Sequence, residues 1–270
     1  MNTPWPSVIG RIVRLVGSFL CAGILLLAIW TMASRVCQER WLPTPYRTIA
    51  TFIRSISTDA IIAAQGGGRN GLAPHVLVTA VSFVVPTVTG LVAGLVAALG
   101  AVQFRFGRSM LGAVTLPWRV IPPLMVVPLI LIMGGASWHS SWFAVWFYAL
   151  VSFAPYAYES LSMTPNTLLE LARVNGADSW WALFRVRAPW AIPLLIGPVK
   201  LVAGFCLGVV VIVEFAAAPE GIGRVMKFAI SYTAVDLLMA CILWVVLLGL
   251  AFDALVDAAL GRITRWSTES

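Results

Sequence analysis

Residues 75–104 run without a single aspartate, glutamate, lysine or arginine. A bilayer's hydrocarbon core takes roughly 20 apolar residues per helix, so this run is long enough to span with tilt or overhang. A water-soluble helix of that length would need a polar face to present to solvent, and this one has none. The rest of the chain agrees. Of 270 residues, 60% are hydrophobic and only 11% charged, where a soluble domain carries about 25% charge. The solvent of this chain is lipid. Because a helix satisfies its own backbone hydrogen bonds, the expected fold class is an all-α membrane protein.

Six segments are candidate spans: 15–33, 75–104, 119–136, 141–158, 188–215 and 234–259. The third opens on Arg119 and is interrupted by Pro122, Pro123 and Pro128, and the fifth carries Lys200. A cation in mid-span is tolerated when it faces protein or water. The first span follows Arg11 and Arg14, as a signal peptide would, but its apolar stretch is long for one and no soluble domain follows, so it reads as a retained helix. Placing the N-terminus in the cytoplasm puts Arg11, Arg14, Arg105, Arg108, Arg173, Arg185, Arg187, Arg262 and Arg265 inside. The basic residues left outside fall mostly in one longer loop, which weighs less. Both termini are then cytoplasmic, and the net charge of +7 is mostly a topology signal.

Several function classes drop out. No basic-aromatic stripe lies outside the spans, so nucleic acid is not an expected partner. The four cysteines, Cys21, Cys37, Cys206 and Cys241, form no CxxC pair and read as small hydrophobes. His75 and His139 are far apart near span ends, and no metal site is expected. The glycine-rich stretch at 65–71 lacks the Lys-Ser/Thr pair that a phosphate loop needs to reach phosphate and magnesium. No ATP-binding device of that kind is present, and no enzyme activity is expected. Tyr46, Ile49, Phe52, Ile53 and Ile56 recur at helical spacing, which predicts an amphipathic helix on the membrane surface. Gly90, Gly94 and Gly100 allow close helix approach in the second span, and the prolines of the third allow either gating kinks or packing bends.

The most polar internal segment of the second half is "ELARVNGADSWWALFRVRAPWAIP", from Glu170 to Pro193. Thr164 and Pro165 suit a helix start. An apolar pattern at helical spacing runs to Gly176, and a second runs from Trp180 to Val186. The prediction is a helix–Gly–helix elbow between spans four and five. Two readings are open: an elbow lying on the headgroups with its tryptophans as anchors, or a knob docked into a cytoplasmic subunit.

The elbow resembles the cytoplasmic EAA loop of binding-protein-dependent ABC importer permeases. That pattern is Glu-Ala-Ala, three residues, Gly, nine residues, then Ile-x-Leu-Pro. Here it reads Glu170-Leu171-Ala172, three residues, Gly176, nine residues, Val186-Arg187-Ala188-Pro189. Leu171, Val186 and Ala188 depart from the pattern but stay apolar. The resemblance extends over roughly residues 75–266. Arg119 to Leu124 and Pro128-Leu129 look like the "RPIPPLALLPL" segment of the nitrate/sulfonate/taurine/bicarbonate branch. Residues 189–193 match its "PAALP", and Glu214 with residues 220–223 resemble its "AE…GLG" region.

The resemblance implies a MetI-like type I importer permease, a single transmembrane domain over residues 1–270 in a bacterial cytoplasmic membrane, with about six helices and a cytoplasmic coupling helix within 162–187. It implies as partners a second permease subunit, identical or not, two ABC ATPases that bind the ATP and magnesium, and an extracytoplasmic solute-binding protein. This chain itself would carry no cofactor. The expected ATPase-coupling residues are Glu170, Ala172, Arg173, Gly176, Ala177, Leu183 and Phe184. Arg119, Lys200 and Glu214 are expected along the translocation pathway of a small anionic solute. Against that stand plainer roles: Lys200 paired with an acid on a neighbouring helix, Arg119 as a snorkelling anchor, and Glu214 paired with Arg224 or Lys227. A secondary transporter is the rival class. It would show inverted repeats with broken helices, and no repeat is evident. A membrane enzyme would need a catalytic cluster on facing spans, and Asp253 with Asp257 lack a histidine partner.

Overall fold

The structure, a computed structural model, describes residues 5–37, 41–64, 71–104, 106–135 and 137–263. Its regular elements are all helical: α1 (Trp5–Val36), α2 (Pro45–Arg54), α3 (Ala60–Ala64), α4 (Leu72–Gln103), α5 (Gly107–Val120), α6 (Pro123–Gly134), α7 (Trp138–Ser162), α8 (Asn166–Val174), α9 (Ser179–Ala182), α10 (Ala188–Ala216), α11 (Ile222–Ser231) and α12 (Val235–Ile263). A π-helical turn, Leu183–Arg187, joins α9 to α10. Among the described residues, three continuous helical stretches are both long and apolar enough to cross a membrane: Leu72–Gln103, Ser179–Ala216 and Val235–Leu260.

Helix overlies each predicted span, but the third differs from expectation. Its segment is two helices, α5 and α6, and the first begins at Gly107, well before Arg119. Pro122 and Pro123 lack amide hydrogens and Pro122 is extended (φ −60°, ψ 135°), so the backbone ladder stops between the two. Arg119 therefore belongs to the last turn of α5 instead of opening a span. Its side chain lies outside the described residues.

The core is built on α7, which packs against α4, α10, α5 and α6. On α4, Thr79, Phe83, Thr87, Gly90, Gly94 and Ala98 face inward at helical spacing. Leu77, Val81, Val84, Val88, Val92 and Val96 are exposed on the other side. Such an apolar stripe is stable only against lipid or another protein. The glycines set the α4–α7 distance. A Cβ on Gly90 would lie 2.6 Å from both the Ala149 Cβ and the Trp146 carbonyl oxygen, and one on Gly94 would lie 3.1 Å from the Leu150 carbonyl. A Cβ on Gly100 would meet nothing within 4 Å among the described residues, so Gly100 does not set this distance.

A smaller apolar cluster joins α3, the start of α4, α11 and α12 through Ile62, Leu72, Ile222, Val225, Leu237 and Cys241. The predicted amphipathic helix is α2, with Thr44 at its N-cap and Pro45 at its first position. It packs on α12. Phe52 stacks on Trp244 at 4.8 Å, Thr51 donates to Asp236 at 3.2 Å, and Tyr46, Ile49 and Ile53 stay exposed. The side turned to the rest of the chain carries Thr48 and Thr51, while Tyr46, Ile49 and Ile53 of the predicted apolar face are left uncovered by the described residues.

Gly90→Ala would force α4 and α7 apart, where overpacking costs roughly 1–3 kcal/mol. The expected result is a lower melting temperature of the purified protein for Gly90→Ala and none for Gly100→Ala, read by scanning fluorimetry.

Candidate functional site

The elbow forms between α7 and α10. Its first arm is α8, closed by a Schellman motif: the Ala177 amide donates to the Ala172 carbonyl (3.0 Å) and the Gly176 amide to the Arg173 carbonyl (2.9 Å). That closure needs a left-handed residue, and Gly176 supplies it at φ +83°. The second arm, α9, is capped by Asp178, whose carboxylate accepts from the Trp181 amide at 2.8 Å. Thr164 does not cap α8. Its hydroxyl turns back to the Leu161 carbonyl at the end of α7 (3.0 Å), and Pro165 occupies the N-cap position.

The elbow has an inner and an outer face. Leu169, Ala172 and Leu183 are buried. Glu170 and Arg173 are exposed, as are Leu171, Val174, Trp180, Trp181 and Phe184. Leu171 and Val174 lie three apart on one helix face, and Trp180 stacks on Phe184 (centroids 6.2 Å apart). Val174 is 86% exposed, so none of the described residues covers that face. Ala172 and Leu183 are among the residues expected to couple to the ATPase. The structure turns both inward, because at i, i+3 spacing from Leu169 the Ala172 side must hold α8 against the body of the chain.

Two polar links tie the elbow to the helices. Ser179 Oγ donates to Gln103 Oε1 (2.5 Å), while Gln103 Nε2 donates to the Ser179 carbonyl (3.2 Å). Gln103 is the last residue of α4. Arg187 Nη1 reaches the Leu161 carbonyl at 3.4 Å. A polar cleft of about 270 Å³, lined by Gln103, Leu169, Arg173, Asp178 and Arg187 among others, separates the end of α4 from the elbow.

The other end of α10 carries a second polar cluster. Glu214 is buried, and its Oε2 accepts from Thr79 Oγ1 (2.8 Å) and from the Gly223 amide (3.0 Å). Thr79 Oγ1 accepts from the Ile222 amide (2.8 Å), and His75 Nδ1 from the Gly221 amide (3.1 Å). Three consecutive amides at the start of α11 are thereby satisfied by side chains of α4 and α10. A carboxylate at a helix N-terminus also complements the helix dipole. Gly221 sits at φ +114°, and a Cβ there would overlap the Glu214 carboxylate. The alternative ion pairs of Glu214 are not formed. Arg224 donates to the Pro219 carbonyl and Lys227 reaches the Ala216 carbonyl at 3.5 Å. Lys200 takes the plainer of its two readings, bonding Asp257 of α12 at 2.6 Å.

Residues 90–265 match the family described as binding-protein-dependent transport system inner membrane component. The chain belongs to this family. It is 29% identical over 163 residues to a probable ABC transporter permease of Brucella melitensis, covering 60% of this chain and 66% of that protein, just under two thirds of its length. It is 28% identical over 167 residues to the riboflavin transport permease RibX of Chloroflexus aurantiacus, covering 61% of each. With the taurine transport permease TauC of Escherichia coli the identity is 23% over 250 residues, covering 91% of this chain and 88% of that one. The fold is that of a chain of the MetNI methionine ABC transporter in an inward-facing conformation: TM-score 0.59, 22% identity, 72% of this chain and 94% of that chain.

The sequence-predicted coupling residues lie together on one elbow. The pathway residues do not come together. Lys200 lies about 21 Å along α10 from Glu214 by helix rise, and Arg119 is on α5. Sequence reasoning missed Gln103, His75 and Thr79. The only available signal was their place at the two ends of the uncharged second span. It also missed that Leu171, Val174, Trp180 and Trp181 carry the outward face.

Lys200→Ala would leave Asp257 unpaired, and Asp257→Asn would strand a cation in mid-helix, where it costs about 2.5–3.5 kcal/mol on insertion scales. Each single variant should lower membrane-inserted yield, and the swap Lys200→Asp with Asp257→Lys should restore most of it, as read by detergent-solubilised yield and melting temperature.

Proposed function

We propose that this permease is the transmembrane subunit of a binding-protein-dependent ABC importer, and that the elbow is the segment through which partner ATPases drive it. The observation that carries the reading is the elbow's uncovered apolar face on an otherwise tightly capped pair of helices. A segment resting only among headgroups needs no defined bend. A segment gripped by another protein does, because the outer side chains must meet a groove in fixed register. In this reading Leu171, Val174, Trp180, Trp181 and Phe184 fill the groove, with Glu170 and Arg173 at its rim. Gly176 and Ala177 set the bend, while Ala172 and Leu183 fix the elbow to the permease body. Gln103 passes the elbow's displacement into α4.

The assembly we infer has two permease subunits, two ATPases holding ATP and magnesium, and a solute-binding protein outside. The membrane is the bacterial cytoplasmic membrane, crossed about six times, with both termini and the elbow inside. Elbow and Glu214 cluster stand at opposite ends of α10, about 39 Å apart by helix rise, which suits an inner drive and an outer gate. The motif matches and the taurine relative favour the nitrate/sulfonate/taurine/bicarbonate branch. An anionic solute would need a free cation on the pathway. With Lys200 held by Asp257, that part of the reading rests on Arg119. A secondary transporter leaves the elbow's apolar face without a role.

The permease should co-purify with an ATPase subunit from its native membrane, and Leu171→Asp with Phe184→Asp should release it. Gly176→Asp puts a side chain at a left-handed position, a strain of about 1–2 kcal/mol, and adds charge to the docking face. In reconstituted vesicles, uptake should fall on the order of tenfold while ATP hydrolysis persists. Unchanged uptake would count against the docking role. Gln103→Ala should lower solute moved per ATP without releasing the ATPase.

A further inference from the structure

The cleft of about 270 Å³ between the end of α4 and the elbow holds charge that the elbow's own architecture does not use. Its ionisable lining among the described residues is Arg173 of α8, Asp178 before α9, and Arg187 at the end of the π-helical turn. Asp178 is already committed, its carboxylate accepting from the Trp181 amide at 2.8 Å. The arginines are not. Arg173 makes no hydrogen bond or ion pair among the described residues, and Glu170, three positions before it, does not pair with it. Arg187 is half-buried, and its one bond among the described residues is the long contact to the Leu161 carbonyl, 3.4 Å. A guanidinium carries five N–H donors, so most of those of Arg187 are unspent. Gln103 gives one amide hydrogen to the Ser179 carbonyl, and its second has no acceptor among the described residues.

Holding the elbow in shape explains little of this. The Gly176 turn, the Asp178 cap and the Gln103–Ser179 pair close it without either guanidinium. Two like charges lining one cleft disfavour each other unless an anion stands between them. Guanidinium groups match the paired oxygens of a phosphate in a fixed fork geometry. The depth also fits. Gln103 and Ser179 end two of the stretches able to cross a membrane, and basic pockets between such helix ends take lipid headgroup phosphates. A water molecule's share of liquid volume is about 30 Å³, so the cleft has room for a phosphate and part of its ester arms. Two guanidiniums and one carboxylate leave a single positive charge, which a phosphodiester monoanion would neutralise.

We propose that this cleft is a binding site for a phosphate group, chelated by Arg173 and Arg187 with the Gln103 amide as a third donor. An anionic phospholipid headgroup and a free phosphate present the same oxygens, and either can supply the group. Bound there, it bridges α8 to the start of α10 beside the Gln103–Ser179 link. The site does not depend on the importer reading.

The test uses the purified full-length chain, stripped of lipid in maltoside micelles. It is titrated separately with dihexanoylphosphatidylglycerol, dihexanoylphosphatidylcholine and inorganic phosphate, and binding is read by phosphorus NMR line broadening. If a headgroup fills the cleft, the phosphatidylglycerol should bind about tenfold more tightly than the zwitterionic lipid. If free phosphate fills it, inorganic phosphate should bind saturably and the two lipids should not. Either result supports the site and names its source. Arg187→Gln should weaken the bound probe about tenfold. Because Arg187 also holds the Leu161 carbonyl, a second variant keeps the result interpretable: Arg173→Gln, at an exposed position, should weaken it about threefold. Arg185→Gln, exposed on the same turn as Arg187 but outside the lining, should leave it unchanged. Equal binding of the two lipids with no response to inorganic phosphate would overturn the proposal, as would an Arg185→Gln loss as large as that of Arg187→Gln. If no probe binds while the chain still co-purifies with an ATPase, the cleft inference fails and the importer reading stands.

Discussion

The close approach of α4 to α7 governs the geometry of this molecule. Gly90 and Gly94 let the two backbones meet where any side chain would hold them apart. In lipid there is little hydrophobic force between helices, so such packing must hold the pair together. Once α4 is fixed, its two ends are fixed as well. One end presents Gln103 to Ser179 of the elbow. The other presents His75 and Thr79 to the first amides of α11. A single uncharged helix thus joins the polar structure on one side of the core to the polar structure on the other.

That arrangement explains why so apolar a chain keeps the few internal polar groups it has. Several of those described are paired or cap a helix. Lys200 meets Asp257 across α10 and α12. Glu214 and Thr79 supply acceptors to a helix start that would otherwise carry bare amides in a dry setting. Asp178 and the Gly176 turn close the elbow's own helix ends. Where no such demand exists, the surface is aliphatic, as at Ile24, Leu25, Leu26 and Leu27 of α1 and along the outer face of α4. The elbow's outer face departs from this economy, with Leu171, Val174, Trp180, Trp181 and Phe184 exposed on a segment that is otherwise polar. The importer reading gives that departure a cause.

Much of this was legible in the sequence because it is local. Uncharged runs mark helices long enough to cross a bilayer, and the spacing of Glu170, Gly176 and Pro189 marks the elbow and its left-handed turn. What stayed hidden depends on distant residues. Asp257 is remote in sequence from Lys200, so that pairing was one option among several. His75 read only as a lone histidine near a span end, because Gly221, which donates to it, is remote in sequence. The rotation of α8 decides whether Leu171 or Ala172 faces outward, and an alternating apolar pattern does not fix it before the body of the chain is in place. The early start of α5 was obscured by Arg108, which falls within the helix, and by a proline pair that looked like the interior of one span.

The central claim is that the elbow's outward face is held by a separate ATP-hydrolysing subunit. The most direct measurement places a photo-crosslinking amino acid at Val174, exposed on that face, and at Leu183, buried behind it, in the permease expressed with its native partners. The account predicts capture of an ATPase subunit from position 174 and none from 183. Crosslinks from 174 to lipid alone would contradict it.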